Sequence, residues 1–107
     1  MWEAARDLRR ELYKVANALP DCETFGLTSE IRRAATSVTA NSAEGCGRFG
    51  YQENAQLCRQ ARGSLYELRY HLTTCVDERY LSPAEGERLD ASAQSVARLV
   101  NGHRLKG

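Results

Sequence analysis

The stretch LTSEIRRAATSVTANSAEGCG, residues 27–47, decides the fold. Leu27, Ile31, Ala34, Val38, Asn41 and Gly45 recur at alternating four- and three-residue steps, which places them on one face of a helix. The first four are apolar or small and predict a packed seam. Thr28 is expected to cap the free N–H groups of the first turn, and Glu30 favours the positive helix end. Asn41 then stands where an apolar residue belongs, followed by Glu44 and Gly45. Gly45-Cys46-Gly47 offers glycines for the left-handed conformation that closes a helix, so this helix is predicted over 28–47.

The same spacing extends in both directions. Ala5, Leu8, Leu12, Val15 and Leu19 predict a helix over 2–19, stopped by Pro20. The connector PDCETFG is short enough to turn the chain back, with Phe25 as its expected apolar plug. Cys58, Ala61, Leu65, Leu68, Leu72 and Cys75 form a continuous seam and predict the longest helix, over 51–79. Gly63 interrupts it at a cost of about 1 kcal/mol against Ala, and the expected reason is close approach by another backbone. Ser82-Pro83-Ala84-Glu85 is a helix start with a capping-box pattern. Leu89, Ala93, Val96, Val100 and His103 supply the fourth seam. β-branched residues are few and no alternation is sustained, so strands are not expected.

Four amphipathic helices with short connections predict an all-α, antiparallel up-down-up-down four-helix bundle, one domain over 1–107. Many seam positions are only Ala, Cys or Ser. A core that thin predicts a homo-oligomer that buries further apolar surface. Fifteen basic residues nearly cancel fourteen acidic ones, so any nucleic-acid role must come from local clustering. No apolar run approaches the roughly 20 residues of a membrane span, and the charged start MWEAARDLRR lacks a signal peptide's apolar stretch. The expected location is cytoplasmic. The four cysteines lack the close pairs of a zinc or redox site. Cys58 and Cys75 are expected as small core residues, Cys22 and Cys46 as loop or helix-end thiols.

The run LPDCETFGLTSEIRRAATSVTANSAEGCGR, residues 19–48, with ARGSLYEL, residues 61–68, resembles the four-helix-bundle proteins related to the 23S rRNA intervening-sequence protein. The residues that carry the resemblance are Leu19, Pro20, Glu23, Phe25, Gly26, Leu27, Ile31, Arg32, Arg33, Ala34, Asn41, Ala43, Glu44, Gly45, Gly63, Ser64, Glu67 and Leu68. Two positions depart from the family pattern. Glu30 stands where Gln is usual, and Ser42 where an apolar residue usually follows the Asn. The resemblance implies an antiparallel four-helix bundle assembled as a homopentamer. It extends to accessory variability determinants of diversity-generating retroelements, which associate with a reverse transcriptase and nucleic acid. For most members no activity is established.

Two surface stripes are candidates for nucleic-acid or partner binding. Trp2, Arg6, Arg9 and Tyr13 lie one step past the seam of the first helix. Arg59, Arg62, Tyr66 and Arg69 do the same on the third. Arginine bonds phosphate bidentately and an interleaved aromatic stacks on an unpaired base. Such stripes also suit subunit interfaces, where Arg and Tyr are enriched. Arg32, Arg33 and Arg48 are secondary candidates, with pairing to Glu30 or Glu44 as the alternative for the first two. Asn41, Glu44, Gly45, Gly63, Ser64 and Glu67 form an expected structural polar signature. No catalytic residue, metal or cofactor is expected. Glu67 and His71 are four apart, without the Glu-x-x-His repeats of a di-iron bundle. Gly45-Cys46-Gly47 lacks the Lys-Ser/Thr continuation of a phosphate loop. The expected partners are a second copy of the chain, RNA or DNA, and a reverse transcriptase or other protein.

Overall fold

The computed structural model describes residues 2–41 and 55–100. Four α-helices, α1 (Trp2–Ala18), α2 (Leu27–Asn41), α3 (Ala55–Asp77) and α4 (Pro83–Val100), are joined by one 3-10 turn at Asp21–Glu23 in the first connector. Among the described residues there is no strand. The helix from Trp2 therefore ends one residue before Leu19, and the third ends at Asp77 rather than Arg79.

The predicted seams are buried, with one shift. In α1 the buried line runs Ala5, Leu8, Leu12, Ala16, and Leu19 follows just past the helix end. Val15 packs against its edge instead of lying in it. A 3.6-residue period keeps the line straight by a four-residue step after Leu12. Ile31, Ala34, Ala35 and Val38 from α2, Cys58 to Cys75 from α3, and Leu89, Ala93, Val96 and Val100 from α4 complete one core.

The start of α2 corrects two expectations. Gly26 O accepts from Glu30 N at 3.0 Å, so Gly26 holds the cap position. Thr28 is buried within the first turn. The chain enters this helix already wound, through Glu23 N to Pro20 O and Gly26 N to Glu23 O, and leaves no extended residue at 28. The same turn directs Phe25 outward, 97% exposed, so it does not plug the connector. Tyr80 ties that connector down instead, its hydroxyl donating to Glu23 Oε2 at 2.8 Å. This bond and the charge of Glu23 push the Tyr80 phenol up to about 12.

Helix α3 closes without a glycine. Arg79 takes φ 65°. Tyr80 N donates to Cys75 O at 2.8 Å and Arg79 N to Val76 O at 3.0 Å. These are the two bonds of a Schellman closure, and a side-chain-bearing residue bears the left-handed strain. Helix α4 opens as predicted: Ser82 Oγ accepts from Glu85 N at 3.1 Å. The Glu85 carboxylate does not complete the box; it accepts from Arg88 Nε at 2.8 Å.

Neighbours in sequence are neighbours in space. Helix α1 packs on α2, α2 on α3 and α3 on α4, and α4 returns to α1 through the thinnest of these contacts. The described molecule measures 43 × 25 × 18 Å. At Gly86 a Cβ would collide with Val76 Cγ2, so this glycine permits the close approach of α3 and α4. Gly63 is the reverse of its expectation: a Cβ there would meet nothing within 4 Å. Cys58 and Cys75 are buried as expected. Cys75 is a free thiol, pushed up to about 11 chiefly by burial. Cys58, however, is disulfide-bonded; spacing along a chain carries no sign of a bond between residues that meet only in space. No described helix is long and apolar enough to cross a membrane.

Candidate nucleic-acid interface

The two arginine stripes lie in opposite grooves of the bundle. Tyr13 shares a 2.8 Å hydrogen bond with Thr36, and Arg32 donates to Asn17 Oδ1, so the Tyr13 end of the α1 stripe faces α2. Arg69 bonds Asp90 through Nε at 2.7 Å and Nη2 at 3.4 Å, so the Arg69 end of the α3 stripe faces α4. With helices in the order α1, α2, α3, α4 around the core, these grooves are on opposite sides. The residues of the two stripes therefore do not form one continuous footprint on a single chain.

Several predicted contacts are already occupied within the protein. Arg69 is tied to Asp90, whose carboxyl is held below the usual range by the Arg69 hydrogen bond and by Gln94. Arg33 donates to Glu30 at 2.6 Å and to Glu67 across the α2–α3 groove. The hydrogen bond and charge of Arg33 hold the Glu30 carboxyl below its usual value, and Glu30 in turn raises the guanidinium. The acidic residue that departs from the family pattern is thus the one that engages Arg33. Arg32 is bonded to Asn17. Arg9 sits 5.9 Å over the Tyr13 ring. Arg6 and Arg62 are half-buried, whereas Arg59 is exposed and has no ion-pair partner among the described residues. Arg48 lies outside the described residues.

The polar signature divides in the same way. Ser64 donates to Ser37 at 2.9 Å and Glu67 pairs with Arg33, so both knit α3 to α2. Gly63 faces open space. Asn41 is the last described residue of α2, while Glu44 and Gly45 lie outside the described residues. One constellation was not legible in the sequence. Glu30, Glu67 and His71 bring one potential ligand atom each within 4.8 Å of one another. Glu30 comes from another helix, so no local spacing announces it. Arg33 bonds both carboxylates and already supplies the positive charge between them. His71 Nε2 stands 3.6 Å from Glu67 Oε2, beyond hydrogen-bond range.

What remains open is the outer side of α3. Tyr66 and Tyr70 are 58% and 69% exposed. With Arg59 and Gly63 they form a line along the helix at three- and four-residue steps. The stripe spacing leaves out Tyr70, whose sequence signal is its four-residue step from Tyr66. Its ring meets His71 edge-on at 5.7 Å.

Fold and surface together define an all-α four-helix protein whose exposed α3 face combines arginine with tyrosine. The chain belongs to the 23S rRNA-intervening sequence protein family, whose model matches residues 1–102. No curated protein matches the sequence.

Proposed function

We propose that this is a non-enzymatic, homo-oligomeric four-helix-bundle protein that binds nucleic acid, alone or together with a nucleic-acid-processing partner such as a reverse transcriptase. The observation that carries the reading is Arg59, exposed two turns from exposed Tyr66 on α3 and without an ion-pair partner among the described residues. The family description, which refers to 23S rRNA, favours RNA as the ligand. Half-buried Arg62, Arg6 and Arg9 are secondary contacts in this reading. Arg69, Arg33 and Arg32 serve the bundle itself.

The bundle is antiparallel in this reading. Tyr13 meets Thr36 while Asn17 meets Arg32, and Ser64 meets Ser37 while Glu67 meets Arg33. Numbers that rise along one helix fall along its neighbour. Self-association is supported by a core in which Ala5, Ala16, Ala34, Ala35, Ala61 and Ala93 fill positions that larger side chains often occupy. The pentameric number rests on the family resemblance. We assign the protein to the cytoplasm because its proposed ligand is RNA; recovery of the protein outside the cytoplasm on cell fractionation would overturn that assignment.

Structured RNA and single-stranded DNA should bind at low salt and be released as salt rises, through loss of counterion release. Arg59→Gln should weaken binding and flatten the salt slope by about one. If neither nucleic acid binds at low salt, this reading is wrong. If Arg59→Gln instead dissociates an oligomer seen by light scattering, the face is a subunit interface and the protein is a scaffold.

A further inference from the structure

We infer that Tyr66 and Tyr70 form a stacking platform for unpaired bases, with Gly63 the point where the strand lies closest to α3. This rests on the nucleic-acid reading above and narrows it to single-stranded substrate.

Three observations converge on the same face. First, both rings are exposed, and residues four apart are separated by about 6 Å along a helix. That spacing suits two successive bases of an unstacked strand and cannot engage bases already stacked in a duplex. The edge-on contact with His71 orients Tyr70 in advance. Second, Gly63 lies between Arg59 and Tyr66, inside a helix where glycine is costly, and no atom lies within 4 Å of where its Cβ would stand. Packing within the described chain does not explain that glycine. A ligand passing over the bare backbone does. Third, charge is graded along the platform. Arg59 stands at one end. Beyond Tyr70 the surface becomes a groove of about 430 Å³ where Asp90 is paired with Arg69 and the rim carries Asp77 and Glu87. Phosphates are drawn to the arginine end and repelled at the acidic one. Each protomer therefore engages a short strand, about two bases deep on the rings.

A second copy of the chain is the competing occupant, since Tyr and Arg also suit protein interfaces. The grading of charge along the line favours a polyanion: a phosphate chain meets Arg59 without supplying a counterpart to the acidic rim.

The test measures fluorescence anisotropy of a short labelled oligo(U), the matching oligo(dT) and an RNA duplex of the same length, with the full chain at low salt. Oligo(U) and oligo(dT) should bind more tightly than the duplex, and the difference between them separates RNA from DNA as the source of the bases. Tyr66→Leu and Tyr70→Leu keep apolar bulk but lose the ring; each should weaken single-strand binding about five- to 150-fold and leave duplex binding unchanged. Phe25→Leu, which removes an exposed ring elsewhere, should have no effect. Gly63→Ala should weaken binding while raising the thermal midpoint, a combination that a purely structural glycine does not give. Equal binding of single strands and duplex, unaffected by the tyrosine variants, overturns the platform but leaves the nucleic-acid reading intact. Failure of all three probes to bind overturns both. Tyrosine variants that dissociate an oligomer, with unchanged nucleic-acid binding per protomer, show that the face seats a second copy.

Discussion

Gly63 and Gly86 interrupt two adjacent helices for opposite reasons. At Gly86 the neighbouring helix fills the space, with Val76 Cγ2 where a Cβ would stand. At Gly63 no atom of the described residues comes within 4 Å. One glycine is explained by packing inside the chain, and the other calls for something outside the described chain. The contrast extends to their surroundings. The α3–α4 contact near Gly86 is closed by Leu89 and the Arg69–Asp90 pair. The surface around Gly63 presents Arg59, Tyr66 and Tyr70 to solvent. A glycine inside a helix is thus no sign of close helix packing until its surroundings are known.

The largest expected effect tests the closed site. Gly86→Ala forces a methyl against Val76 and should destabilise the fold by about 1–3 kcal/mol, read from denaturant unfolding. Adding Val76→Ala removes the obstructing γ-carbons and should recover part of that loss. If Gly86→Ala is neutral, the two helices are further apart than described and the contrast collapses. Gly63→Ala should have the opposite sign, a gain of up to about 1 kcal/mol from helix propensity alone. A loss there would mean that the site is closed in the folded protein and that the two glycines are alike.

The smallest effect concerns the ion pair that closes the α3–α4 groove. Arg69→Gln should cost about 0.5 kcal/mol, since both partners are about one-third exposed and solvent screens them. Arg69 lowers the Asp90 carboxyl, so the pair's contribution is fully present above the ordinary aspartate range. It is lost as pH falls through the lowered value. The stabilities of native protein and variant should therefore converge on acidification. A gap that persists at acid pH would assign the role of Arg69 to packing of its stem against the groove.

These comparisons also show where sequence reading stops. Pairing of arginines was legible only where the partner is local, as for Arg33 with Glu30 three residues away. Arg69 with Asp90 and Arg33 with Glu67 join residues on different helices, whose relative register no single helix carries. The two basic stripes looked alike along the chain. Only the order of helices around the core places them in opposite grooves. Tyr70 escaped notice because an isolated exposed tyrosine is unremarkable until its neighbours are known.

The sequence by itself determined the four helices, their buried faces and the start of α4. Those follow from period, capping and chain-breaking residues, all local properties of the polypeptide. It did not place Thr28, Phe25 or Gly63 correctly, because the roles of these residues depend on what lies across from them. Which arginines are neutralised, which glycine is covered and which tyrosines face outward were decided by helix packing. That is a property of residues distant in the chain, and it singles out Arg59, exposed and without an ion-pair partner among the described residues, on the same helix face as two open aromatic rings.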